Sequence, residues 1–151
     1  MLNRDIYQCG FLLEDIAQDE FENFPITINF FIQKNIKKIL KEYNQILEMR
    51  DLIVKKYGIL TNSDERLYDI PLEKRDLANQ ELNNLLNIDN QDFQLDLIPL
   101  SLLSNIQCSA KASQIIFFMI KEDINLDNLS MQSQNITFSK PKIEEVILEA
   151  E

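Results

Sequence analysis

The segment Ile26–Tyr57 constrains the fold of this chain more than any other. Ile32, Ile36, Ile39, Tyr43, Ile46, Arg50, Ile53 and Tyr57 follow one another at alternating steps of four and three residues. Such a seam runs along one side of an α-helix, and Leu40, Leu47 and Val54 widen it into a broad apolar face. Pro25 stands where a helix tolerates proline at its start, and Gly58 stands just past the last seam residue, where helices commonly stop. Lys55 and Lys56 complement the negative end of the helix dipole. A helix of this span is about 48 Å long at about 1.5 Å per residue and needs an extended surface to pack against. The other helices expected in the chain are short. An apolar stripe left partly uncovered predicts a second copy or a partner protein along it.

Upstream, Leu2, Ile6, Cys9, Leu13, Ile16 and Ala17 recur at helical spacing. They predict an amphipathic helix over residues 1–22 with an acidic outer face, weakest at Gly10; a strand at the extreme start is the alternative. Downstream, Leu60 to Leu67 reads as a loop and Leu67 to Ile70 as a short edge strand. Pro71 opens a helix over Leu72–Leu86 with Leu77, Ala78, Leu82, Leu85 and Leu86 inward. The alternation of Phe93, Leu95 and Leu97 with polar neighbours predicts a strand stopped by Pro99. Ser109 can cap a helix from Ala110 to about Ile120. Together these elements predict a mainly α (α+β) fold, a long helix packed against an N-terminal helix and a C-terminal helical unit with a small sheet. Residues 1–121 form that single domain. Residues 122–151 form an acidic C-terminal extension, in which Ile136 and Phe138 suggest a strand. Ile143, Val146, Ile147 and Ala150 there suggest one face of a last helix.

Composition excludes more than it assigns. The 151 residues include no His, which removes the common triads, most catalytic zinc sites and the usual proton shuttle near neutral pH. Two Gly are too few for a phosphate loop or a dinucleotide fingerprint, and two Cys too few for a disulfide scaffold. Cys9 and Cys108 read as reduced, buried small hydrophobes. Asp89 to Asp92 resembles the start of a calcium loop, but Gln94 and Leu100 occupy the positions that need Gly and Glu. No cofactor, metal site or enzymatic activity is therefore expected. A net charge of −10 disfavours nucleic acid and anionic lipid, and no apolar run approaches a membrane span. No secretory signal is visible, so a cytoplasmic location follows.

Within that acidic chain, residues 34–56 hold seven Lys or Arg against three Asp or Glu. Lys34 and Lys38, and Lys37 and Lys41, are spaced so that like charges stack on the helix. An anion-binding stripe is one reading; a face answered by the acidic segment Glu14–Glu22 or by a neighbouring subunit is the other, and aromatic residues do not interleave these lysines as single-strand binders require. Arg50 occupies a seam position that favours an apolar side chain. Either it fixes the register of a helix pair or subunit interface through a carboxylate partner, or its head snorkels to water. Tyr43 and Tyr57 read as core residues with satisfied hydroxyls, and as candidate contact residues if the seam is an interface.

Phe24-Pro25 leading into Lys34-Asn35, then Leu40-Lys41-Glu42-Tyr43, Arg50 and Lys55-Lys56-Tyr57-Gly58, resembles a family of small uncharacterised proteins of bacteriophages and prophages. The resemblance continues through Tyr68-Asp69-Ile70, the Asn79–Leu86 helix with Glu81, Phe93–Ile98, Pro99-Leu100-Ser101 and Phe118-Met119-Ile120. It covers about residues 11–121. It implies a phage origin, with the host cytoplasm or the virion as the location, and carries no catalytic motif. The expected function is a non-enzymatic interaction protein, an accessory or assembly factor or minor virion component, acting through helical surfaces. Its partners are then a second copy or another phage or host protein. The alternative is an acidic host-modulating inhibitor that binds a basic site on a host protein.

Overall fold

The computed structural model describes residues 1–16 and 19–120. Its elements are α1 (Asn3–Glu14), α2 (Ile26–Tyr57), β1 (Ile59–Asn62), β2 (Leu67–Asp69), α3 (Leu72–Leu86), a 3-10 turn at Leu100–Leu102, and α4 (Ala110–Phe117). The fold is mainly α with a small two-stranded antiparallel sheet, and α2 packs against α1 and α3. None of the helices among the described residues is long and apolar enough to cross a membrane.

The long seam is covered from within the chain. Ile32 and Ile39 pack in one cluster with Cys9 of α1, Ile98, and Ile115, Ile116 and Met119 in and after α4. Two turns on, Ile46 meets Ile6, Leu82 and Leu86. Ile53 then meets Ile70 and Ala78. Three covers in succession replace the single long partner that the length of α2 suggested. Full burial of one such side chain contributes about 1.5–3 kcal/mol, so the seam is a principal source of stability.

The ends of the elements follow local chemistry. Ser109 caps α4, its Oγ accepting the Ala112 N–H at 3.1 Å. That helix stops at Phe117, although Met119 beyond it is still buried. At the chain start both readings hold in part. Leu2 forms an extended bridge to Asp89, the Asn3 N–H donates to Ile88 O at 2.9 Å, and α1 begins immediately after. α1 ends at Glu14, short of the expected Glu22, and Phe21 and Phe24 reach the core from turns. Gly58 ends α2 in extended backbone, not in a left-handed turn. It is required for space: a Cβ there would lie 2.6 Å from Val54 O and 2.9 Å from Tyr68 Cβ.

Three other expectations are corrected. Phe93 to Leu97 is not a strand. Buried Asn35 of α2 serves as its partner instead, donating Nδ2–H to Asp96 O at 2.9 Å while Oδ1 accepts the Asp96 N–H at 2.8 Å. One side chain thus satisfies both backbone groups that a neighbouring strand would have paired, and only Ile98 forms a bridge, to Ile120. Leu60 to Leu67 is not all loop, because β1 pairs with β2 across it with a register shift between Leu60 and Asn62. In α3, Ala78, Leu82 and Leu86 are buried as expected, but Leu77 faces outward. The strand expected at Ile136 and Phe138, and the helix face expected at Ile143 to Ala150, lie outside the described residues.

Candidate interaction surface

α2 positions every residue singled out in the sequence, and the fold sends them to different tasks. Lys34 and Lys38 reach across to Asp96, at 3.2 and 2.8 Å, beside the Asn35 clamp. These two lysines hold the Asp96 carboxyl below its usual range. The acidic segment Glu14–Glu22 does not answer them: Asp15 pairs with Lys111 of α4 and Glu20 accepts the Ser109 N–H. Asp96 takes that part because the Asn35 clamp brings it to the same face of α2. Lys41 is exposed and has no ion pair among the described residues.

Tyr43 is a core residue. Its ring packs against Tyr7 with centroids 5.5 Å apart and lies directly over Gly10. Burial pushes its phenol up to about 12, and the nearby Glu14 carboxylate adds to the rise. At the other end of α2, the Tyr57 hydroxyl donates to Glu81 Oε1 at 2.7 Å. Lys56 pairs with the same carboxylate and sits 5.0 Å from the centre of the Tyr57 ring. Glu81 is held below its ordinary range by those two donors, Lys56 first. This cluster ties α2 to α3, so Tyr57 is a clamp rather than a free contact residue.

Arg50 stands between these two tyrosines. The residue is half-buried, and its Nε is buried with no hydrogen-bond partner among the described residues. No carboxylate among them forms an ion pair with it, so the pairing expected for a buried arginine is not made by the described part of the chain. An unpaired buried N–H of this kind costs about 1–3 kcal/mol. Its cation lies near enough to Tyr43 to oppose the upward shift of that phenol.

The surface that the sequence did not single out is the hairpin. Ile59, Leu60 and Leu67 are 60%, 47% and 49% exposed, and Leu52 and Met49 on the preceding turns of α2 are also exposed. In the two-stranded sheet both outer edges lack a strand partner among the described residues. Such edges offer backbone donors and acceptors to another chain. The turn is built tightly: Asn62 Oδ1 accepts the Asp64 N–H at 3.0 Å, and Arg66 adopts a left-handed φ of 53°. The signal available in the sequence was Ile59-Leu60-Thr61 directly after Gly58, an apolar and β-branched run facing Leu67-Tyr68.

Little in the described residues favours covalent or metal chemistry. No group of three metal-ligating side chains occurs among them. Burial pushes the Cys9 thiol up to about 12. Cys108 is also raised, by burial and then by Glu20, so neither is an activated nucleophile. What the geometry does offer is apolar surface beside strand edges, and an arginine, that have no partner among the described residues. Comparisons with protein families, with curated proteins and with solved structures found no match.

Proposed function

We propose that this chain is a non-enzymatic interaction protein of phage or prophage origin, an accessory or assembly factor or a minor virion component. It meets its partner, a second copy or another protein in the host cytoplasm or virion, at the hairpin end of α2. The observation that carries this reading is the set of Ile59, Leu60 and Leu67, each about half exposed, on a two-stranded sheet whose edges have no further strand among the described residues. Exposed apolar side chains are ordinary one at a time; three on one small hairpin form a patch that is costly to leave in water. Arg50 supplies the ionic contact, because its half-buried cation has no ion pair among the described residues to compete with a partner carboxylate. The test is tagged purification from the source cell with quantitative mass spectrometry, comparing wild type with the Leu60→Lys, Leu67→Lys double variant. One partner, or a second copy, at fixed stoichiometry with wild type and lost with the variant supports the reading. A wild-type monomer free of any stoichiometric partner overturns it.

The net charge of −10 supports a second reading, an acidic inhibitor of a basic host protein. A partner that is basic, and whose capture falls steeply with salt while ignoring the hairpin variant, would favour it.

A further inference from the structure

The outer face of the first four turns of α2 has a composition that its own packing does not explain. Ile26 and Phe30 are 81% and 65% exposed, on the first turns of the helix. Lys37 and Lys41 follow at steps that keep the helical face, so the four side chains form one stripe about 22 Å long at about 1.5 Å per residue. Lys37 and Lys41 are exposed and lack ion pairs among the described residues. Lys34 and Lys38 border the stripe and share the single carboxylate of Asp96. The result is an apolar and aromatic end followed by a surplus of positive charge, in a chain of net charge −10.

The described chain ends next to the segment that carries Asp96. Ile120 pairs with Ile98 as a parallel bridge, and the Ile98 N–H donates to Met119 O at 2.7 Å. Ile98 is two residues from Asp96, which the two lysines hold. Residues 121–151 continue from Ile120. Their last part, 143–151, carries Glu144, Glu145, Glu149 and Glu151 and no basic residue, interleaved with Ile143, Val146, Ile147 and Ala150. That composition is the complement of the stripe in both charge and apolarity. Residues 121–142 can span at most about 75 Å when extended, more than three times the stripe's length, so reach does not restrict the pairing.

We infer that residues 143–151 dock in cis on this stripe, with the glutamates facing Lys37 and Lys41 and the apolar side chains covering Ile26 and Phe30. The contact is ionic and exposed at its basic end, so it is open to competition by salt and by an acidic partner. It is separate from the hairpin surface and does not depend on it.

The experiment is zero-length carbodiimide cross-linking of the full chain at low concentration, with peptide mapping of the monomer and dimer bands. The expected result is an amide between Lys37 or Lys41 and Glu144, Glu145, Glu149 or Glu151, confined to the monomer band and lost at high salt. In the Lys37→Glu, Lys41→Glu variant these products disappear. Adding Glu144→Lys, Glu145→Lys to that variant restores cross-links with the charges exchanged, and circular dichroism checks that every variant is folded. Cross-links from Lys37 and Lys41 to 143–151 found only in the dimer band would assign the stripe to a second copy and overturn the inference. Cross-links from these lysines only to residues 1–120, or no restoration by the charge exchange, would overturn it as well.

Discussion

Replacing Gly10 with alanine tests how closely α1 lies on α2. A Cβ at this position would sit 2.3 Å from Tyr43 Cγ, 2.4 Å from Cδ2 and 2.8 Å from Cβ. Carbon atoms in contact prefer about 3.5–4.0 Å, so α1 and α2 must part by about 1 Å or the ring must swing. The ring has little freedom to swing, since Tyr43 is buried and packed against Tyr7. Overfilling a packed core costs about 1–3 kcal/mol, whereas alanine is favoured over glycine inside a helix by about 1 kcal/mol. Parting the helices also loosens the clusters around Cys9 and Ile6, which places the clash toward the upper part of its range. The expected net loss for Gly10→Ala is about 1–2 kcal/mol, a fall in Tm of about 2–4 °C for each kcal/mol in a chain of this size. Thermal and urea unfolding followed by circular dichroism measure it. In a Tyr43→Ala background the same change should be neutral or stabilising, because the methyl then enters vacated space and only the helix preference remains. Equal or higher stability for Gly10→Ala in the wild-type background would refute the argument.

Other predictions rest on single side chains. Asn35→Leu removes both bonds to the Asp96 backbone and leaves a donor and an acceptor unpaired; urea unfolding should report a loss of about 2–4 kcal/mol, well above that of a surface change. Tyr43 should stay neutral in the folded protein as pH passes 10, where an unfolded tyrosine ionises. Because its folded pKa is the higher one, the stability it contributes is fully present below pH 10 and falls away toward about 12, which ultraviolet titration of wild type against Tyr43→Phe would detect. Arg50→Leu should keep or raise the melting temperature, since it removes a buried unpaired N–H, while loosening the choice of register or stoichiometry; Arg50→Glu should weaken partner binding in sedimentation velocity, since it reverses the charge offered to a carboxylate.

The elements with strong periodicity were legible in the sequence. α2 spans Ile26–Tyr57 because its seam, Pro25 and the Gly58 stop all agree, and α3 follows Pro71 to Leu86 for the same reason. Four features were not legible. The coverage of the seam depends on how three separated segments fold back along one helix, which no local pattern encodes. The alternation over Phe93 to Leu97 specified an extended backbone, but whether a strand or the Asn35 side chain satisfies that backbone is a tertiary matter. Gly10 read as a weak point in α1, while its value lies in a close approach that only the position of Tyr43 reveals. Among the candidate contact residues, Lys34, Lys38, Tyr43 and Tyr57 carry internal tasks in the structure. The hairpin was hidden because Leu60 to Leu67 reads as a loop, and the exposure of Ile59, Leu60 and Leu67 shows only once the two strands pair.

Amide hydrogen exchange, read across α2 and the hairpin for the free protein and for the complex recovered from its source cell, separates a seam covered within the chain from one covered by a partner. Ile32 to Ile53 should exchange slowly in the free protein, independently of its concentration, because this chain alone covers the seam. Added protection on binding should fall on Ile59 to Asp69 and around Arg50. The opposite result is fast exchange along the seam in the free protein, with protection gained there on assembly. That pattern would make α2, and not the hairpin, the interface.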